Sequence, residues 1–195
     1  PATNEFDEAK EIAELVKRAA FLRDAGGMYL QVTDSTRPKN RPPAADDFKR
    51  LGRLLTETGK RTADIGIKLA YHNHMGSLGE APAEVDALMT ATDARYVNLL
   101  LDVAHYAQGG GVPAKAIRSY RERLLFLHIK DVESIVPSAS ETQPKTYRFV
   151  ELGRGRVDLP AVFAALKAIK FRGWAIVELD SVPDKTRTPK ESAII

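Results

Sequence analysis

The four histidines of this chain all stand at the ends of short apolar runs, with carboxylates beside them. They are His72, His74, His105 and His128, and the carboxylates that end such runs include Asp102, Asp131, Glu178 and Asp180. Imidazole nitrogen and carboxylate oxygen bind Mn²⁺, Co²⁺, Mg²⁺ and Zn²⁺, and both groups also transfer protons. The pattern indicates a divalent metal site with acid–base chemistry, and the residue types do not choose among the four metals.

Five apolar runs predict the strands that would position these side chains. A run of four to eight apolar residues bounded by polar or glycine-rich sequence is typical of a buried strand. The runs cover residues 28–33, 65–71, 97–102, 124–129 and 174–179. Parallel α/β proteins carry their chemistry at the carboxyl ends of strands, which is where the histidines and carboxylates of this chain stand.

Amphipathic segments between these runs predict helices. The predicted helix starts are Asn4, Asp46 or Asp47, Pro82, Pro113 and Asp158. Residues 132–148 are predicted to form a long polar excursion, followed by a tight turn at residues 153–155. Because helix and strand alternate five times, the predicted class is α/β with a parallel sheet.

Composition excludes several kinds of site. The chain has 195 residues, of which 44% are hydrophobic and 28% charged, as in ordinary globular proteins. It has no cysteine, which excludes disulfides and thiolate ligands, and its net charge of +3 is scattered, so nucleic-acid binding is not expected. No apolar stretch approaches the roughly 18 residues of a membrane span, and there is no signal-peptide pattern. We therefore expect a cytoplasmic protein that does not bind membranes.

Side-chain alternation predicts that the candidate residues converge. His72 and His74 share one face of their strand, as do His128 and Lys130, and the inward faces of neighbouring strands meet at the axis of a barrel. Glu178 carries the most weight, because a buried carboxylate that ends an apolar strand needs a cation or proton partner.

Each of these residues also has a purely structural alternative. Asp102 can cap the helix that follows it, and His105 can contact substrate without binding metal. His128 can be a hydrogen-bonded core histidine. Lys130 and Asp131 can form a plain salt bridge.

Four motifs, read together, resemble the xylose-isomerase-like TIM barrel superfamily. They lie at residues 101–105, 127–131, 152–158 and 173–178, and they occur in the family's order over nearly the whole chain. Residues 71–76, with the sequence YHNHMG, are similar to the His-x-His-Met-Gly segment of the branch that contains sugar phosphate isomerases/epimerases and inosose dehydratases.

The resemblance implies a (β/α)8 barrel type of which residues 1–195 form a single domain with about five βα units, the first three being absent. It implies that Asp102, His128 and Glu178 are metal ligands. The fourth ligand in the family is normally a glutamate, and His72 stands in its place. We predict a metal site of His72, Asp102, His128 and Glu178, and catalytic roles for Glu178, His74, His105 and Lys130.

The reaction that this resemblance implies is proton abstraction next to a carbonyl through a metal-stabilised enediolate, on a small sugar or cyclitol. Isomerisation or epimerisation is predicted first, and dehydration of a keto-cyclitol or keto-sugar is the alternative. The endonuclease branch is disfavoured because Tyr147 and Phe149 occupy its Asp-x-His positions. A truncated, non-catalytic metal- or sugar-binding protein is a third reading, and a homo-oligomer is possible.

Overall fold

Five parallel strands form one curled sheet in the computed structural model, which describes residues 7–136 and 146–194. In chain order the strands are β1 Tyr29–Val32, β2 Lys68–His72, β3 Val97–Asp102, β4 Leu124–Ile129, β5 Asp131–Ser134, β6 Tyr147–Val150 and β7 Trp174–Val177. The sheet order is β1-β2-β3-β4-β7, while β5 and β6 pair separately as an antiparallel hairpin. The five predicted strands are therefore the five strands of the sheet, which has the form of a half-barrel.

Helices connect the strands and cover one face of the sheet. They are α1 Glu8–Asp24, α2 Ala45–Ala63, α3 Pro82–Thr90, α4 Val103–Gln108, α5 Pro113–Ser119, α6 Leu159–Ala168 and α7 Pro189–Ile194. Asp7 caps α1 by accepting from the Lys10 N–H, and Asp158 caps α6 by accepting from the Ala161 N–H. The predicted cap Asn4 lies outside the described residues. No helix within the described ranges is both long and apolar enough to cross a membrane.

The core lies between the sheet and its helices. Leu69, Leu99 and Leu101 have no exposed surface, because helices cover the face of the sheet on which they lie. A smaller cluster of Ala70, Leu100 and Phe126 lines the opposite, inner face. The central strands are apolar along their whole length because both of their faces are covered.

The two outer strands of the sheet each have one strand neighbour among the described residues. On β7 the side chains of Trp174, Ile176 and Val177 are 45–66% exposed, although the sequence reads as a buried strand. Closing a barrel would require further strands between β7 and β1. The absence of three βα units from a single domain stays a prediction.

Two segments differ from the sequence-based expectation. The predicted polar excursion at 132–148 begins and ends in β5 and β6, and its central residues 137–145 lie outside the described part of the chain. The helix α7 was not predicted, because its sequence PKESAI carries no clear apolar periodicity. The hairpin matters for the site because it brings Phe149 next to the ends of β3 and β4.

Candidate metal centre

Asp102 ends β3 and uses its two carboxylate oxygens differently. Its Oδ1 accepts hydrogen bonds from the N–H groups of Ala104 and His105, both at 2.9 Å, and so caps α4. Its Oδ2 is buried and has no hydrogen-bond partner among the described residues. The helix-cap reading and the metal-ligand reading are therefore compatible, because each uses a different oxygen.

Two imidazole nitrogens face the free oxygen of Asp102. His72 Nε2, at the end of β2, lies 3.7 Å from Asp102 Oδ2, and His128 Nδ1 lies 3.8 Å from the same atom. The three atoms are buried, lie within 4.8 Å of one another and make no hydrogen bond to any part of the chain that the structure describes. Buried polar atoms without a partner are costly and rare in native proteins. A divalent cation bound by two nitrogens and one carboxylate oxygen would satisfy all three, so these residues fit the metal that the fold family implies.

The register of the sheet explains this convergence. Asp102 on β3 pairs directly with His128 on β4, and His72 pairs with Leu100. Asn73, which follows His72, accepts from the Asp102 N–H at 2.9 Å and donates to the Asp102 carbonyl at 3.2 Å. The buried amide of Asn73 thus extends the pairing of β2 and β3 beyond the last regular hydrogen bonds and fixes the two strand ends relative to each other.

Burial and charge set the protonation states in this cluster. Burial alone would raise the pKa of the Asp102 carboxyl, but its interactions with His128, His72 and His105 hold that pKa well below its usual range. Burial lowers the pKa of His72; Asp102 opposes this shift, and the neighbouring imidazoles of His128 and His74 add to it. A carboxylate and a neutral imidazole are the protonation states that bind metals.

The rings of His105 and His74 lie against each other beside the triad, with centroids 3.7 Å apart and planes tilted by 37°. The Met75 N–H donates to His105 Nδ1 at 3.2 Å, so a neutral His105 carries its proton on Nε2, which lies 4.0 Å from Asp102 Oδ2. Burial lowers the pKa of His105 to about 3. His74 Nδ1 lies 2.7 Å from the Met75 carbonyl, which leaves the Nε2 of a neutral His74 as an acceptor. Neutral His105 thus donates toward the site, and neutral His74 offers an acceptor nitrogen.

Glu178 and Lys130 form an ion pair at the border of the triad. Lys130 Nζ lies 3.1 Å from Glu178 Oε2, 2.6 Å from Asp180 Oδ1 and 3.9 Å from Asp102 Oδ2. Burial alone would lower the pKa of Lys130, but its hydrogen bond to Asp180 and the charge of Asp102 raise it. The ammonium also lies 4.1 Å from the centre of the Phe149 ring. Lys130 is therefore a buried cation held by three carboxylates and an aromatic face.

Two sequence-based interpretations are wrong here. Glu178 is not a buried carboxylate, because its side chain, directly after the open strand β7, is 35% exposed; its Oε2 lies 3.0 Å from His128 Nδ1 without forming a hydrogen bond. Lys130 does not pair with Asp131. The two side chains point to opposite sides of the extended backbone between β4 and β5, so Lys130 enters the site while Asp131 points to the loop that follows β6.

Asp131 organises that loop through backbone donors alone. Its buried carboxylate accepts from the N–H groups of Val132, Gly153, Gly155 and Val157 at 2.9–3.0 Å. Gly153 adopts a φ of +82°, and a Cβ at Gly155 would overlap Asp131 Oδ1. The Gly-Arg-Gly turn of the sequence thus binds one buried carboxylate through its backbone N–H groups.

Sequence reasoning assigned no role in the site to four residues that touch it. They are Gln31, Asn73, Phe149 and Asp180. Asn73 and Asp180 carried a signal, because each stands within two residues of a predicted ligand at a strand end. Gln31 and Phe149 carried none, because their contacts depend on how β1 and the hairpin are placed in three dimensions.

Known proteins resemble this chain over nearly its whole length. A family model described as xylose isomerase-like TIM barrel matches residues 1–194. The rhizopine catabolism protein MocC of Rhizobium meliloti is 30% identical over 93% of this chain, and an inosose dehydratase of Lacticaseibacillus casei is 29% identical over 98%. The chain spans 61% and 70% of those two proteins.

Solved structures show the same fold. The IolI protein, solved with a bound zinc atom, superposes with a TM-score of 0.76 at 22% identity, over 99% of this chain and 68% of that one. The D-allulose 3-epimerase of a Methylomonas species, in complex with D-allulose, gives 0.73 at 21% identity, over 100% of this chain and 64% of that one. The family suggested by the four motifs is confirmed: this chain belongs to the xylose isomerase-like TIM barrel family.

Proposed function

We propose that this chain carries the metal site and the acid–base residues of a divalent-metal-dependent lyase that removes water from a keto-cyclitol or a related keto-sugar. The observation that carries the proposal is the convergence of three buried, unpartnered ligand atoms of His72, Asp102 and His128 beside the Glu178–Lys130 ion pair. Relatives named inosose dehydratase, at 27–30% identity, favour dehydration over the isomerisation or epimerisation that the sequence analysis predicted first.

His72, Asp102 and His128 would hold the metal, and Glu178 is close enough to His128 to act as a fourth ligand, as the motif resemblance implies. A bound divalent cation supplies Lewis acidity, which polarises the substrate carbonyl and acidifies the neighbouring C–H bond. For catalysis, a substrate bound at this site must also place the carbon next to its carbonyl within reach of a base.

Glu178 and Lys130 are the proposed base and acid. Glu178 removes the proton next to the carbonyl, and the electrons of the broken C–H bond form the new double bond. The hydroxyl on the next carbon leaves with its bonding electrons and takes a proton from Lys130, so that one water is lost. Because the two groups lie 3.1 Å apart, protonated Glu178 can return its proton to Lys130 and reset the pair.

The two remaining predicted catalytic residues orient the substrate and offer a second route. His105, neutral with its proton on Nε2, would donate a hydrogen bond to a substrate oxygen. His74, with Nε2 free as an acceptor, would serve as the second acid–base group that isomerisation or epimerisation requires. That geometry is the observation that keeps the isomerase/epimerase function as the second candidate.

Turnover of an inosose by the wild-type chain and by Glu178→Gln tests the proposal. We expect Mn²⁺- or Co²⁺-dependent loss of 18 mass units from the substrate, and a decrease in kcat of about 10²- to 10⁴-fold in Glu178→Gln, with the fold retained. Asp184→Asn, a substitution in an exposed loop, is the control and should leave kcat unchanged. A product of unchanged mass would favour the isomerase/epimerase function, and full activity of Glu178→Gln would refute the role of that residue.

A further inference from the structure

Gln31 makes a hydrogen bond to the ring nitrogen of His72 that faces away from the triad. It lies on β1, in register with Ala70 of β2, and its Nε2 stands 3.1 Å from His72 Nδ1. His72 Nε2, the other ring nitrogen, points to Asp102 Oδ2 and has no hydrogen-bond partner within residues 7–136 and 146–194. The Gln31 amide therefore contacts Nδ1 of His72, while Nε2 of the same ring is one of the proposed metal ligands.

The two ring nitrogens of a neutral histidine are coupled, because only one carries the proton. If the Gln31 amide donates to Nδ1, the proton sits on Nε2 and blocks it as a ligand. If the amide is turned by 180°, its carbonyl oxygen accepts from Nδ1–H and Nε2 presents a lone pair. Both orientations of the amide keep the same heavy-atom positions and the same 3.1 Å contact, so the tautomer of His72 decides which amide atom faces Nδ1.

We propose that Gln31 is a positioning residue for the metal site: its side-chain carbonyl fixes His72 as the Nδ1–H tautomer and aims Nε2 at the cation. Metal-binding histidines generally donate their second N–H to an oxygen acceptor, and loss of that acceptor weakens metal binding. Gln31 is the acceptor within reach of His72 Nδ1 among the described residues, and its side chain makes no other hydrogen bond there. The inference rests on the metal site proposed above.

The test uses two variants of Gln31 with opposite expectations. Gln31→Met keeps the length of the side chain but removes the acceptor, and we expect the Kd for Zn²⁺ or Mn²⁺ to rise by about 10- to 100-fold. Gln31→Glu keeps an acceptor and should restore the Kd to the wild-type value or below. Gln108→Met, which removes the amide that binds Arg156, is the matched control and should not change the Kd.

Isothermal titration with the metal alone gives the Kd, and long-range ¹H–¹⁵N NMR of the imidazole gives the tautomer of His72. Three results together support the inference: weaker metal binding by Gln31→Met, wild-type metal binding by Gln31→Glu, and an Nδ1–H tautomer of His72 in the metal-loaded wild type. The inference is overturned, without affecting the proposed metal site, if the wild type and Gln31→Met have equal Kd values. It is also overturned if Gln31→Glu binds the metal as weakly as Gln31→Met. A wild-type chain that takes up no metal overturns the proposed site itself, and the inference with it.

Discussion

Replacing Asp131 by asparagine should destabilise the loop after β6 and, through it, the whole domain. The carboxylate accepts four backbone N–H groups at 2.9–3.0 Å and is fully buried. An asparagine oxygen can keep two of these bonds, without the charge, and its NH₂ group would face the other two donors. Two charge-assisted bonds at about 1.5–3 kcal/mol each, less what water recovers at the exposed Gly153, give a loss of about 3 to 5 kcal/mol.

Urea unfolding followed by far-ultraviolet circular dichroism measures this loss. For a chain of 195 residues it corresponds to a decrease in Tm of roughly 10 °C. The matched control is Asp184→Asn, because Asp184 also accepts a backbone N–H, that of Thr186, but in an exposed loop. We expect less than about 1 kcal/mol for the control. The reasoning is refuted if Asp131→Asn and Asp184→Asn lose the same small amount.

Two further predictions concern protonation and charge in the site. Burial lowers the pKa of His105 from 6.5 to about 3, so below pH 6.5 the unfolded chain binds a proton that the folded chain does not. The free energy of unfolding should therefore fall by about 1.4 kcal/mol for each unit that the pH decreases between those two values. Urea titrations at pH 7.5, 6 and 5 should show this slope in the wild type and a smaller one in His105→Gln; equal slopes would contradict it. Lys130→Met removes a positive charge 3.9 Å from Asp102 Oδ2, so titration calorimetry should find tighter divalent-metal binding while turnover falls. Weaker metal binding in that variant would show that Lys130 supports the ligands and does not compete with the cation.

The strands of the sheet and the strand-end positions of the candidate site residues could be predicted because both depend on local patterns. The strands are uninterrupted apolar runs, and the strand-end positions of His72, Asp102 and His128 follow from where those runs stop. Parallel strands place their carboxyl ends at one edge, so convergence of these three residues followed from topology alone. The β5–β6 hairpin could not be predicted in the same way, because its strands have four residues each and neither is an uninterrupted apolar run.

The environment of individual side chains was harder to predict than their position. Glu178 stands at the end of an apolar strand, yet it is partly exposed because β7 has one strand neighbour among the described residues. Whether Lys130 pairs with Asp131 depends on which face of the strand each occupies, and that alternation sends Asp131 to the Gly153–Gly155 turn. The contact between Gln31 and His72 joins residues 41 positions apart and follows from the β1–β2 register, which a single sequence does not specify.

Metal stoichiometry tests the central proposal most directly. Elemental analysis of protein purified without added metal, followed by titration with Mn²⁺, Co²⁺ and Zn²⁺, should give one ion per wild-type chain. The double variant Asp102→Asn, His128→Gln should retain its fold and lose that ion, because it removes two of the three converging ligand atoms. Absence of uptake by the wild type, or equal uptake by the double variant, would contradict a metal site at the ends of β2, β3 and β4.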